Sequence, residues 1–104
     1  MIIVTGSIQV AKENREMALI ATRMLMTHSR NEPGNLCYEF GEDIDTPAKF
    51  RFYEEWQTPK ALNSHLRSEY TQQFRKLIAR LGVLSIDVKR LNSETGAIGE
   101  AAVA

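Results

Sequence analysis

The sequence predicts an α+β domain in which one antiparallel sheet of four strands carries its helices on a single face. Three observations lead there. Segments 2–10, 35–41, 49–56 and 83–91 alternate apolar and polar residues with the period of two that a strand requires. The stretches from Lys12 to about Glu32 and from Pro59 to Leu81 repeat apolar residues at helical spacing instead. Breakers fall where the period changes: Pro33-Gly34, Thr58-Pro59 and Gly82.

In the first strand Ile2, Val4, Gly6, Ile8 and Val10 share one face, and Thr5, Ser7 and Gln9 the other. The first helix presents Met17, Ile20, Ala21, Met24 and His28 as its inward stripe. Pro33-Gly34 then ends it, by removing an N–H donor and permitting positive φ. The second strand sets Leu36, Tyr38 and Phe40 against Cys37 and Glu39. The acidic stretch from Glu42 to Pro47 reads as a loop. The third strand places Phe50, Phe52, Glu54 and Trp56 on one side. Thr58 caps the next helix and Pro59 opens it, where a missing N–H costs nothing. Ala61, Leu62, His65 and Leu66 point inward from it. Ser68 is positioned to cap a further segment, in which Tyr70, Phe74, Leu77, Ile78 and Leu81 extend the stripe. The fourth strand groups Leu84, Ile86 and Val88.

The order is β-α-β-β-α-β, the ferredoxin-like, split βαβ pattern. Right-handed crossovers put both helical connections on the same side of the sheet. The domain is expected to span residues 1–92, leaving 93–104 as a tail that is flexible or contacts a partner subunit.

The 104 residues suit a single core, and 43% apolar content suits a globular one. Thirteen basic and thirteen acidic residues cancel, which argues against a nucleic-acid partner, whose proteins gather basic charge on one surface. The single cysteine, Cys37, cannot form an internal disulfide. No apolar run approaches the ~20 residues of a membrane span. A cytoplasmic protein without membrane association is therefore expected. Two histidines and one cysteine give no zinc spacing, no glycine-rich phosphate loop follows a strand, and no serine has a nucleophile-elbow context.

The residues that stand out are polar ones on apolar faces. Glu54 runs in register with Phe50, Phe52 and Trp56, so its carboxylate points inward. Burial of that charge is costly unless it is paired or neutralised, and raises its pKa. Such a group is either a structural hydrogen-bonding partner or a base at a ligand. His65 and His28 flank the two helical stripes, as core histidines or as proton carriers suited to a phenol or enol. Tyr70, Trp56, Phe40 and Phe74 are either core aromatics or the walls of a pocket for a flat ligand.

The stretches Glu32-Pro33-Gly34-Asn35-Leu36-Cys37-Tyr38-Glu39-Phe40, Phe52-Tyr53-Glu54-Glu55-Trp56 and Ala61-Leu62-Asn63-Ser64-His65-Leu66, with Phe74, together resemble the antibiotic biosynthesis monooxygenase family. This group of dimeric α/β barrels includes small quinol monooxygenases, and the resemblance runs from about Ile3 to Leu91. It implies a homodimer joined through the second sheet faces, with one pocket per subunit beneath the helices. It also implies oxidation of a small phenolic, quinol or quinone-like substrate by molecular oxygen, without flavin, haem or metal. His65, Glu54 and Tyr70 would be the catalytic groups, and Trp56, Phe40, Phe74 and His28 would bind the substrate. Many relatives carry a second histidine five residues after the helical one, where this chain has Tyr70. Haem-degrading relatives use an asparagine, a tryptophan and a histidine where this chain has Gly6, His65 and Arg75, which speaks against haem cleavage. No inward lysine or arginine is evident to meet the phosphate of the sugar-isomerising relatives. A ligand-binding protein without turnover and an isomerase of a small metabolite stand as alternative readings.

Overall fold

The computed structural model describes residues 1–94 and the backbone of Ile98–Gly99. The chain runs β1 (Ile2–Val10), a 3-10 turn (Lys12–Asn14), α1 (Arg15–Ser29), β2 (Asn35–Glu42), β3 (Lys49–Trp56), α2 (Pro59–Arg67), α3 (Glu69–Arg80), β4 (Val83–Asn92) and β5 (Ile98–Gly99). The sheet order is β2-β3-β1-β4-β5, every neighbouring pair antiparallel. This is the expected ferredoxin-like architecture with one addition: the short β5, from the stretch read as a tail, pairs with β4. The rest of that tail, 95–97 and 100–104, lies outside the described residues.

Local chemistry explains the joints. Thr58 Oγ1 accepts the Ala61 N–H at 3.1 Å and Ser68 Oγ accepts the Thr71 N–H at 3.2 Å. Ser68, extended at ψ 151°, thus ends α2 and starts α3. Gly34 takes φ +83°, a left-handed conformation that glycine adopts without a Cβ penalty. At Gly6 an added Cβ would stand 1.9 Å from the Asp87 carbonyl oxygen, so only glycine lets β4 close onto β1.

The core lies between the sheet and α1–α3. Ile2, Val4, Ile8, Val10, Tyr38, Phe50, Phe52 and Trp56 meet Ala18, Ala21, Leu25, Leu62, Phe74, Ile78 and Leu81. Three expected faces are displaced. Helix α1 buries Ala18, Ala21, Thr22, Leu25 and Ser29, while Met17, Ile20 and Met24 are half exposed. Both sets have helical spacing, and the inward one is largely small, so the helix axis can lie close to the sheet. Leu36 turns outward because a bulge between Asn35 and Cys37 shifts the register of β2. Leu84 is exposed where β4 shifts against Gln9/Val10, and Ile86, though opposite Ile8, is 48% exposed.

Candidate active site

Alternation along β3 sends both Glu54 and Trp56 toward the helices, and both are fully buried. The Trp56 indole Nε1–H donates to Glu54 Oε1 at 2.9 Å. Glu54 Oε2 is buried with no hydrogen-bond partner among the described residues. Loss of hydration dominates here and pushes the Glu54 carboxyl up to about 8, despite the opposing effect of the Trp56 bond; the charge of Glu32 pushes the same way. At neutral pH Glu54 is accordingly a mostly protonated acid.

His65, in the last turn of α2, is also fully buried. Its ring lies over Trp56 (centroids 4.6 Å apart) and meets Tyr38 edge-on at 5.3 Å. His65 Nδ1 is 2.8 Å from Glu32 Oε1 and 3.4 Å from Thr71 Oγ1. Thr71 is in turn fixed by the Ser68 hydroxyl, which donates to it at 3.0 Å. With the Glu32 carboxylate as acceptor, the ring carries its proton on Nδ1 and turns Nε2 toward Glu54 Oε1, 3.8 Å away. That separation exceeds a direct hydrogen bond. The imidazole therefore stands between two carboxyl groups.

Tyr38, from β2, is buried beside this pair. Its phenol is held well above the ordinary range by burial first and by the Glu54 and Glu32 charges; the nearby Ser29 hydroxyl and the Arg75 charge oppose the shift. Arg75, half-buried on α3 with Nη2 enclosed, corrects the expectation that no inward arginine reaches this region.

The sequence-predicted residues thus divide. Glu54, His65 and Trp56 are brought together. Phe40 and Phe74, centroids 6.0 Å apart, continue from Tyr38 toward the gap between α1 and α3. There a cavity of about 110 Å³ is lined by Ala21, Met24, Leu25, Tyr70, Gln73 and Phe74, with Leu77. Tyr70, 47% exposed, does not join the buried cluster; it stacks on His28 at 3.4 Å, bridging the end of α1 and the start of α3 at this rim. Glu32, Thr71, Tyr38 and Arg75 are the members that sequence reasoning assigned no role. Tyr38 was legible as an inward aromatic, whereas Glu32 follows the helix end, where no periodicity marks it.

Comparison with known proteins shows the family and the fold of the chain. The family model described as antibiotic biosynthesis monooxygenase matches residues 1–77. YcnE of Bacillus subtilis, provisionally named a monooxygenase, is 32% identical over 74 residues, covering 71% of this chain and 78% of the relative. The uncharacterized protein sll1783 of Synechocystis is 33% identical over 73 residues, 70% of this chain, and the match spans half of that relative's length. A Deinococcus radiodurans crystal structure, provisionally titled an antibiotic biosynthesis monooxygenase, shares the fold with TM-score 0.84 at 23% identity, covering 100% of this chain and 98% of that one. With the family match spanning β1–β3, α1, α2 and most of α3, and with them Glu54, His65 and Glu32, the chain belongs to the antibiotic biosynthesis monooxygenase family.

Proposed function

We propose that the protein is a cofactor-independent monooxygenase acting on a small phenolic or quinol compound, as a cytoplasmic homodimer. The observation that carries the reading is the buried Glu54 carboxyl, with Oε2 unmatched and His65 alongside, in surroundings made of Trp56, Tyr38, Phe40 and Phe74. A hydroxyl placed on Oε2 would satisfy that atom and give up its proton to the ionised Glu54 carboxylate, with His65 alongside.

Deprotonation makes the substrate itself the reductant. An electron-rich phenolate passes electrons to molecular oxygen, and a C–O bond forms at the ring carbon para to the oxygen. The O–O bond then breaks. One oxygen atom stays as the second carbonyl of a quinone, and the other leaves as water with the two hydrogens lost from O–H and C–H. Phenol plus O2 thus balances quinone plus H2O. A quinol, whose para carbon already bears oxygen, takes the new oxygen at a ring C–H beside its hydroxyl and gives hydroxyquinone plus H2O. No other reductant enters.

The 110 Å³ cavity is smaller than the ~300–1,000 Å³ of common ligand pockets. Substrate entry therefore requires the α1–α3 gap to open, with Phe74 as the inner wall and the His28–Tyr70 stack as the outer one. Those two residues act as gate rather than as acid or base. Oxygen uptake with a panel of hydroquinones and naphthols tests the reading. His65→Ala and Glu54→Gln are each expected to lower the rate at least 10²-fold, the scale of a lost general base. Unchanged rates in both variants overturn the mechanism. Tight binding of the same compounds without oxygen uptake favours a binding protein, and product formation without it an isomerase.

A further inference from the structure

We propose that Glu32 is the exit of a proton relay, carrying protons from Glu54 through His65 to a surface cleft between the turn after α1 and the start of α2. The inference rests on the monooxygenase reading for its biological purpose, and on geometry for its existence.

His65 is held by groups from separate elements. Its Nε2 faces Glu54 Oε1 of β3 at 3.8 Å, and its Nδ1 lies 2.8 Å from Glu32 Oε1, in the turn after α1. The two ring nitrogens are the two ends of one conjugated system, so a proton gained at one is released at the other without rotation of the ring. His65 is fully enclosed, whereas the Glu32 side chain is 22% exposed. Glu32 also lines an open cleft of about 340 Å³ with Pro33, Gly34, Gln57, Thr58 and Ser64. The series therefore runs from an enclosed acid to a solvent-facing one. Tyr38 of β2, Ser29 of α1, Thr71 and Arg75 of α3, and Lys60 of α2 at the cleft are polar and charged groups around it.

One transfer cycle is balanced as follows. Glu54 Oε1–H gives its proton to Nε2 while Nδ1–H gives its proton to Glu32 Oε1, and Glu54 is left as the carboxylate that accepts the substrate hydroxyl proton on Oε2. Glu32 then loses the proton to water in the cleft. The imidazole ends neutral with its proton on Nε2, and the reverse transfer, from a reprotonated Glu32 to Nδ1 and from Nε2 to Glu54, restores the starting tautomer. Glu32 acts through His65 and never touches substrate, so it is a positioning and relay residue.

The relay can be observed without substrate. Infrared absorption of the protonated Glu54 carboxyl, assigned by its loss in Glu54→Gln, is followed after a pH jump from 7 to 9. In Glu32→Ala the deprotonation is expected to slow at least tenfold while its final amplitude stays the same. Imidazole or another small buffer base added to the cleft is expected to restore the rate in proportion to its concentration, which a merely structural role for Glu32 would not produce. Glu32→Gln, which keeps a hydrogen-bond acceptor for Nδ1 but cannot carry the proton, is expected to behave like Glu32→Ala and covers the case in which the alanine variant folds poorly. An unchanged rate in a folded variant overturns the relay. Slowed exchange with no oxygen uptake by the wild type leaves the relay standing and removes the monooxygenase, and oxygen uptake with unchanged exchange does the reverse.

Discussion

Glu54 is the residue at which folding and function oppose one another. An unfolded chain ionises this carboxyl near 4.5, while the folded one holds its proton to about 8. A carboxyl with its pKa raised on folding binds more protons in the native state. Its contribution is therefore fully present below about 4.5 and is lost as pH rises toward 8. Global stability is expected to fall by up to about 1.4 kcal/mol per pH unit in that window and to flatten above it. Denaturant melts at pH 5, 6, 7, 8 and 9 measure this directly. Glu54→Gln, which keeps the Trp56 acceptor and removes the titration, should level the slope; a wild type with pH-independent stability from 5 to 8 would mean that the carboxyl is not desolvated. Sequence made this residue visible because strand alternation is a strict period, and a carboxylate in register with Phe52 and Trp56 has nowhere else to point. The same logic was silent on Glu32 and Arg75. One lies in a turn and the other beside the apolar stripe of α3, and long side chains from either place reach inward in ways that no period records.

Among the elements, α1 shows where the pattern runs out. Two sets of residues one position apart, Met17/Ile20/Met24 and Ala18/Ala21/Leu25, both repeat with the helical period, and hydrophobicity alone favours the larger side chains. Packing against a sheet selects the smaller ones, because alanines at the contact allow the backbone to approach and leave volume for Tyr38, Phe40 and Phe74. The consequence is sharp for neighbouring positions. Leu25, 2% exposed, should cost about 2–5 kcal/mol when cut to alanine. Met24, 58% exposed, should change stability by less than about 0.5 kcal/mol on replacement by glutamate. Thermal or urea melts of the two variants decide the rotation of the helix, and a large loss in Met24→Glu with a small one in Leu25→Ala would reverse it. The β-order and the split of the second crossover at Ser68 were legible for a simpler reason. Caps, proline and positive-φ glycines are local devices whose chemistry is written in two or three adjacent residues. The bulges at Asn35/Cys37 and at Gln9/Val10 depend on pairing between strands distant in sequence, and so Leu36 and Leu84 were assigned to the wrong environment.

For the whole molecule, assembly turns on the sheet face away from the helices. Thr5, Glu39, Arg51, Asp87 and Lys89 are exposed there, and Tyr53 donates to Glu55 at 2.6 Å. A shallow cleft of about 310 Å³ lies among Thr5, Glu39, Phe40, Gly41, Arg51, Phe52 and Tyr53. Four main strands at ~4.8 Å spacing and ~26 Å length make a surface of roughly 500 Å² in projection, somewhat below the ~800 Å² that each partner contributes to a standard interface. A dimer built on this face would hold both signs of charge across it, with ion pairs and hydrogen bonds in place of an apolar seal. The proposed homodimer should therefore be sensitive to salt, since screening shortens to ~3 Å at 1 M. Light scattering is expected to give twice the chain mass of 11.8 kDa at low ionic strength and a lower average at 1 M salt. Arg51→Glu, which places a fourth acidic group beside Asp43, Glu39 and Glu55, should shift the protein toward monomer at low salt while leaving its melting temperature in the monomeric range unchanged. A chain mass of 11.8 kDa at every concentration and salt level would leave this face to solvent and remove the dimer from the proposal. The buried Glu54–His65–Glu32 series would be untouched by that outcome, because every one of its members comes from a single chain.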